Sequence, residues 1–168
     1  MRHLLTPVTA AGTLLAAYLP QLLIVGTLVA GYLPGYLLEE GGRNRSAVLR
    51  LVLPEVAVPV ATVVGLAAIG VWALWSSNVD QPAKTAVVLL GTVLLLTTPS
   101  YPWYSLPLVA LCVMARRLKW LAVAVAGYVA YAGVRLPPTT GLAYLAAAVV
   151  VLGAAQRRRR THAAGLVG

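Results

Sequence analysis

From residue 4 to about residue 33 the chain carries no charged side chain, and five further apolar runs follow at about 56–75, 86–98, 106–115, 120–134 and 141–155. A surface helix of a water-soluble domain needs a polar face, and these runs have none. Spanning helices need about 20 apolar residues each. Several of the later runs are shorter, so flanking Tyr, Trp and Thr must complete them at the membrane boundary. The first run follows Arg2 and His3 and has small residues at Ala16 and Ala17, as a secretory signal does. It continues through Leu22 to Ala30, beyond the ~7–15 residues of a signal core, so it reads as embedded and uncleaved, with a kink at Pro20.

Composition points to the same solvent. Of 168 residues, 60% are hydrophobic and 10% charged, and the mean hydropathy is +0.85. So few charges cannot clothe an aqueous surface, which excludes a large water-soluble catalytic domain. The fold expected is all-α: a multi-pass transmembrane helical bundle of about six spans, one or two of them short or broken, forming a single membrane domain over residues 1–168. The net charge of +9 would suit nucleic acid if the basic residues alternated with exposed aromatics. They lie between apolar runs instead, and no nucleic-acid partner is expected. Cys112, the one cysteine, falls inside an apolar run, which excludes an intramolecular disulfide and reads as a small buried hydrophobe.

The basic residues set an orientation. With a cytoplasmic N-terminus and six spans, nine lie inside (Arg2, Lys84, Arg116, Arg117, Lys119 and Arg157 to Arg160) and four outside (Arg43, Arg45, Arg50 and Arg135). Basic loops favour the cytoplasm, so the expectation is a cell-membrane protein with both termini inside, an external loop at about 35–53, an external broken-helix motif at about 97–104 and a cytoplasmic tail at 156–168. The four consecutive arginines of the tail read as an anchor on anionic headgroups.

The external loop is where chemistry concentrates. The positive-inside preference would leave few arginines there, so Arg43, Arg45 and Arg50 need another cause. Arg43, Ser46 and Arg50 recur at helical spacing against apolar Ala47, Val48, Leu49, Leu51, Val52 and Leu53, the pattern of a short helix lying in the interface. Two readings stand side by side. Guanidinium forks donate paired bonds to phosphate oxygens, which makes the three arginines candidates for a lipid-linked phosphate; alternatively the helix snorkels among headgroups without specificity. Glu39 and Glu40 are weak candidates for a general base or a sugar contact.

A second constellation, Tyr101-Pro102-Trp103-Tyr104, places three aromatics together at a break between spans. Aromatics at this depth form an interfacial belt or a stacking surface for a sugar ring, and broken spans are tolerated where they line a cavity. Tyr128 and Tyr131 share a helical face and read as packing residues. His3 and His162 lie near the termini without Cys or carboxylate neighbours, and the chain has no phosphate-cradling glycine loop. No metal or cofactor is expected.

The stretch Gly31-Tyr32-Leu33-Pro34-Gly35-Tyr36-Leu37-Leu38-Glu39-Glu40-Gly41, then Leu49-Arg50-Leu51-Val52-Leu53-Pro54, and later Thr98-Pro99-Ser100-Tyr101-Pro102-Trp103-Tyr104, resembles the C-terminal half of the actinobacterial membrane glycosyltransferases of family 87. These are C-type, multi-pass enzymes similar to the polyprenyl-phosphate-mannose-dependent mannosyltransferases. The resemblance covers about residues 20–131. It implies transfer of a sugar, mannose in such enzymes, from a polyprenyl-phosphate donor to an acceptor on the outer face. It also implies donor-phosphate contact for the external arginines and sugar or lipid-head contact for Tyr101, Trp103 and Tyr104. Enzymes of this type keep a catalytic carboxylate in a first external loop, whereas residues 1–38 here contain no Asp or Glu. The base is therefore not assigned, and the chain is expected to be a fragment, a truncated gene product or a half that needs an N-terminal half or a partner membrane subunit, inactive alone. The competing class is non-enzymatic: a small transporter, lipid flippase or assembly subunit. A proton-coupled carrier would bury ionisable groups at mid-membrane depth, and the apolar runs hold none.

Overall fold

The computed structural model describes residues 2–26, 45–76, 80–99, 101–133 and 138–164, with side chains from Val8 to Arg157 within them. The chain divides into two compact units, residues 1–42 and 43–168. The described residues are helical, with no strand among them.

In the first unit, α1 (Arg2–Val25) continues as helix through Pro20, where the sequence suggested a kink. Proline at that position deprives the Ala16 carbonyl of its helical partner. Thr13 donates from its hydroxyl to the Thr9 carbonyl at 2.9 Å, and the helix ends at Gly26, whose φ of 60° is left-handed, a conformation that costs glycine nothing.

The second unit contains α2 (Ala47–Arg50), α3 (Val58–Ser76), α4 (Pro82–Thr97), α5 (Leu106–Met114), α6 (Leu121–Ala132) and α7 (Thr139–Ala164), with single 3-10 turns at Glu55–Ala57, Pro102–Ser105 and Leu118–Trp120. Prolines account for much of this punctuation. Pro82, Pro102 and Pro107 each fall in the first turn of a helical element, where the missing N–H would have had no partner in any case. Residues 44–53 were expected to form an amphipathic interfacial helix; among the described residues 45–53, only the four of α2 are helical. Leu51 to Leu53 turn away, with Leu53 N–H donating to the Leu49 carbonyl at 2.8 Å.

From α3 onward, consecutive helices run in alternating directions. Residues 45–62, 97–99, 101–105, 127–131 and 141–144 meet at one end; residues 72–76, 81–88 and 117 meet at the other. α6 and α7 form the most extensive pair, and α3 packs on α4, where Gly65 admits Leu96. The core lies between α4, α5, α6 and α7 around Val87, Leu94, Leu108, Cys112, Trp120, Val123, Tyr144 and Val151, and Cys112 is fully buried there. Across it Lys119 Nζ donates to the Val151 carbonyl at 3.5 Å.

Among the described residues three segments are long and apolar enough to cross a membrane: Val8–Val25, Glu55–Ser76 and Thr139–Arg157. Pro82–Thr97, Pro102–Met114 and Leu118–Ala132 are apolar but shorter. A rise of about 1.5 Å per residue makes α4 about 24 Å and α6 about 18 Å long, against about 30 Å of hydrocarbon. Large apolar side chains such as Ile24, Val56 and Trp75 are exposed, as in a chain whose solvent is lipid.

Candidate functional site

At the end of the second unit where α3 begins and α4 stops, a knot of polar groups replaces helical hydrogen bonding. Thr98 closes α4 in the left-handed region with φ 42°, and Ser46 precedes α2 with φ 53°. Positive φ is uncommon for such side chains and a genuine outlier for a β-branched one, so surrounding bonds must hold it. They do. Thr98 N–H donates to the Leu94 carbonyl at 2.8 Å, Ser46 N–H to the Thr97 carbonyl at 3.1 Å, and Ala47 N–H to Thr98 Oγ1 at 2.9 Å. The Ser46 and Thr62 hydroxyls share a hydrogen bond of 2.8 Å, while Thr62 Oγ1 also donates to the Val58 carbonyl. Ser46 and Thr98 are buried. The knot fastens the arginine-bearing segment to the last turn of α4, immediately before the aromatic motif.

Arg50 does not point freely from this segment. Its Nε donates to the Arg45 carbonyl at 3.1 Å, and its Nη1 makes an ion pair with Glu55 Oε1. The Arg50 side chain is 26% exposed and that of Glu55 81%. The phosphate-binding candidates are therefore placed unequally: Arg45 and Arg50 share the segment, with Arg50 already engaged, while Arg43, Glu39 and Glu40 lie outside the described residues. Glu55, which was not among the candidate residues, is the carboxylate that engages Arg50. Its spacing of five from Arg50, across Pro54, was the available signal.

The aromatic motif is assembled as a cluster. Tyr101 and Trp103 stack with ring centroids 4.4 Å apart and planes 16° from parallel. Tyr104 tilts against both, at 6.5 Å and 6.2 Å. Trp103 is 52% exposed and Tyr104 38%. A fourth ring joins from α6: Tyr131 lies 6.4 Å from Tyr101 and is itself exposed. Tyr131, expected to be a packing residue, belongs to this exposed group because α6 returns its C-terminal end to the level where α5 began.

Tyr144 on α7 fixes the height of the break. Its hydroxyl donates to the Pro99 carbonyl at 2.8 Å, and it passes over Gly127, where a Cβ would stand 3.3 Å from Oη. Ser105 Oγ donates to the Pro102 carbonyl at 2.6 Å, closing the turn beneath the rings. At the α2–α7 crossing, a Cβ on Gly141 would stand 3.2 Å from both the Ala47 carbonyl oxygen and Leu51. The site end thus rests on α2, α4, α6 and α7 together. Chemically it offers stacked ring faces, phenol hydroxyls and a guanidinium held by an exchangeable carboxylate; no group of three or more metal-binding side chains occurs among the described residues. Comparison with protein-family models, curated proteins and solved structures gives no match.

Proposed function

We propose that this chain is the lipid-donor side of a membrane glycosyltransferase. In this reading α1 and α3 to α7 are six spans with both termini cytoplasmic, and the aromatic end faces outward in the cell membrane. The substrate is a sugar, mannose by the family resemblance, carried on a polyprenyl phosphate. The supporting observation is the Tyr101–Trp103 stack with its exposed indole, held next to the arginine segment by the Ser46–Thr98 knot. The apolar face of a sugar ring packs on indole or phenol while its hydroxyls seek polar partners.

Arg50 reaches the donor phosphate by exchanging partners. An exposed ion pair such as Arg50–Glu55 is worth about 0.2–1 kcal/mol, whereas a hydrogen bond to a charged group contributes about 1.5–3 kcal/mol. A phosphate brought in by its lipid therefore competes with Glu55 for the guanidinium, and the exposed carboxylate is the weakly held partner. Arg45 and Arg43 complete the phosphate contact, and the acceptor side with its carboxylate base comes from an N-terminal half or a partner subunit, Glu39 and Glu40 being this chain's own weak candidates.

A second reading, a non-enzymatic transporter, flippase or assembly subunit, is favoured by one observation: Arg50 is already satisfied by Glu55 and the Arg45 carbonyl. Affinity for a short-chain polyprenyl-phosphate-mannose, measured in neutral nanodiscs, separates the two. The donor reading predicts that Trp103→Ala and Arg50→Lys each weaken binding about tenfold, since lysine keeps the charge and loses the fork. Affinities equal to wild type for both variants would leave the non-enzymatic reading.

A further inference from the structure

At the end of the second unit away from the aromatic rings, α3, α4 and the turn between α5 and α6 line an open cavity of about 210 Å³, bordered by Trp72, Ser76, Gln81, Lys84, Thr85 and Arg117. Two cations, two hydroxyls and an amide converge on it with no carboxylate in its lining. Among the described residues neither Lys84 nor Arg117 has an ion-pair partner. The described acids are Glu55, taken up by Arg50, and Asp80, which does not line the cavity. Two like charges bordering one cavity at the margin of an apolar bundle repel each other, and an anion bound between them offsets that repulsion. Arginine suits a phosphate by its fork and lysine as a mobile point charge.

The ligand's other half is written on the flank. Val71, Trp72, Leu74 and Trp75 are exposed along the adjoining turns of α3, so an apolar surface leads away from the polar cavity. A molecule that fits both has a small phosphate head and a hydrocarbon tail. The volume agrees, since pockets for drug-sized ligands begin at about 300 Å³, which is too large for this one but ample for a headgroup phosphate.

We propose that this cavity is a binding site for the phosphate of an anionic membrane lipid, in the leaflet opposite the aromatic end. It does not depend on the sugar-transfer reading. Basic residues near a leaflet attract anionic lipid diffusely; a built site differs because it discriminates between adjacent arginines. Arg116 is exposed and is not part of the lining, which makes it the control.

The test is equilibrium binding of short-chain phosphatidylglycerol to the full chain in neutral detergent. Wild type is compared with Lys84→Gln, Arg117→Gln and Arg116→Gln, with inorganic phosphate as competitor. The site predicts about tenfold weaker binding for each of the first two variants and less than twofold for Arg116→Gln, with no displacement by inorganic phosphate at equal concentration. Lys84 is exposed on α4, so Lys84→Gln retains the wild-type unfolding midpoint and decides the matter even if Arg117→Gln unfolds. Equal loss in all three variants, wild-type affinity in Lys84→Gln, or displacement by inorganic phosphate at equal concentration would each overturn the proposal.

Discussion

Gly91 lies in the middle of α4 beneath the indole of Trp120. A Cβ added there would stand 2.2 Å from Trp120 Cε3 and 2.5 Å from Cζ3, where ordinary contact begins at 3.4 Å. The ring would have to retreat by about 1.2 Å, the difference between 3.4 and 2.2 Å, from a position in the core where it is 5% exposed. Its Nε1–H has no partner, so packing alone holds the indole in place. Overpacking costs about 1–3 kcal/mol, while alanine gains about 1 kcal/mol over glycine in a helix interior. At so short a distance the steric cost wins, and Gly91→Ala is expected to destabilise the fold by up to about 2 kcal/mol net. Gly70→Ala on α3 meets nothing within 4 Å and should be neutral or stabilising by up to about 1 kcal/mol. Unfolding in mixed micelles titrated with SDS measures both. Trp120→Leu supplies the internal check: in that background the Gly91→Ala penalty should shrink, giving a coupling of about 0.5–3 kcal/mol. Equal shifts for Gly91→Ala and Gly70→Ala, or no coupling to Trp120, would refute the packing argument.

Thr98→Val keeps the shape of the α4 terminus but leaves Ala47 N–H without its acceptor in a buried setting. Destabilisation of about 1–3 kcal/mol and faster hydrogen exchange at Ala47 are expected, and unchanged exchange would show that the knot is not needed. Tyr144→Phe removes the bond to the Pro99 carbonyl and should cost about 0.5–1.5 kcal/mol in the same unfolding assay; a stabilised variant would count against that bond. Glu55→Ala releases Arg50, so affinity for a short-chain polyprenyl phosphate in neutral nanodiscs should rise by no more than about fivefold, the equivalent of an exposed pair. A fall in affinity would mean that Glu55 assists binding instead of competing with it.

The helical class and the breaks between α3, α4 and α5 were legible because they depend on local chemistry: uncharged apolar runs, and prolines that fall in the first turns of the elements that follow; Pro20, inside α1, breaks nothing. The start of α4 was misread by four residues, at 86 instead of Pro82, since Lys84 interrupts the apolar pattern while proline in the first turn in fact favours initiation. Residues 44–53 have the periodicity of a longer helix. Periodicity does not register that Ser46 and Ala47 donate their N–H groups to Thr97 and Thr98, about fifty positions away. The aromatic motif was visible as a motif, but Tyr131 was not, because its membership depends on the direction in which α6 returns. The same limit hid the basic cavity: Lys84 and Arg117 each read as an orientation anchor, and only the tertiary fold brings them to one lining.

In the proposed topology the two chemically different ends of the bundle lie on opposite sides of a membrane. Impermeant thiol labelling tests this in a Cys112→Ala background, with one cysteine introduced at Glu55 beside the arginine segment and, separately, one at Arg116 beside the basic cavity. Both positions are exposed, and they lie at opposite ends of the second unit. In intact cells the account predicts labelling of Glu55→Cys from outside and labelling of Arg116→Cys only after the membrane is broken. Labelling of both positions from the same side would contradict it.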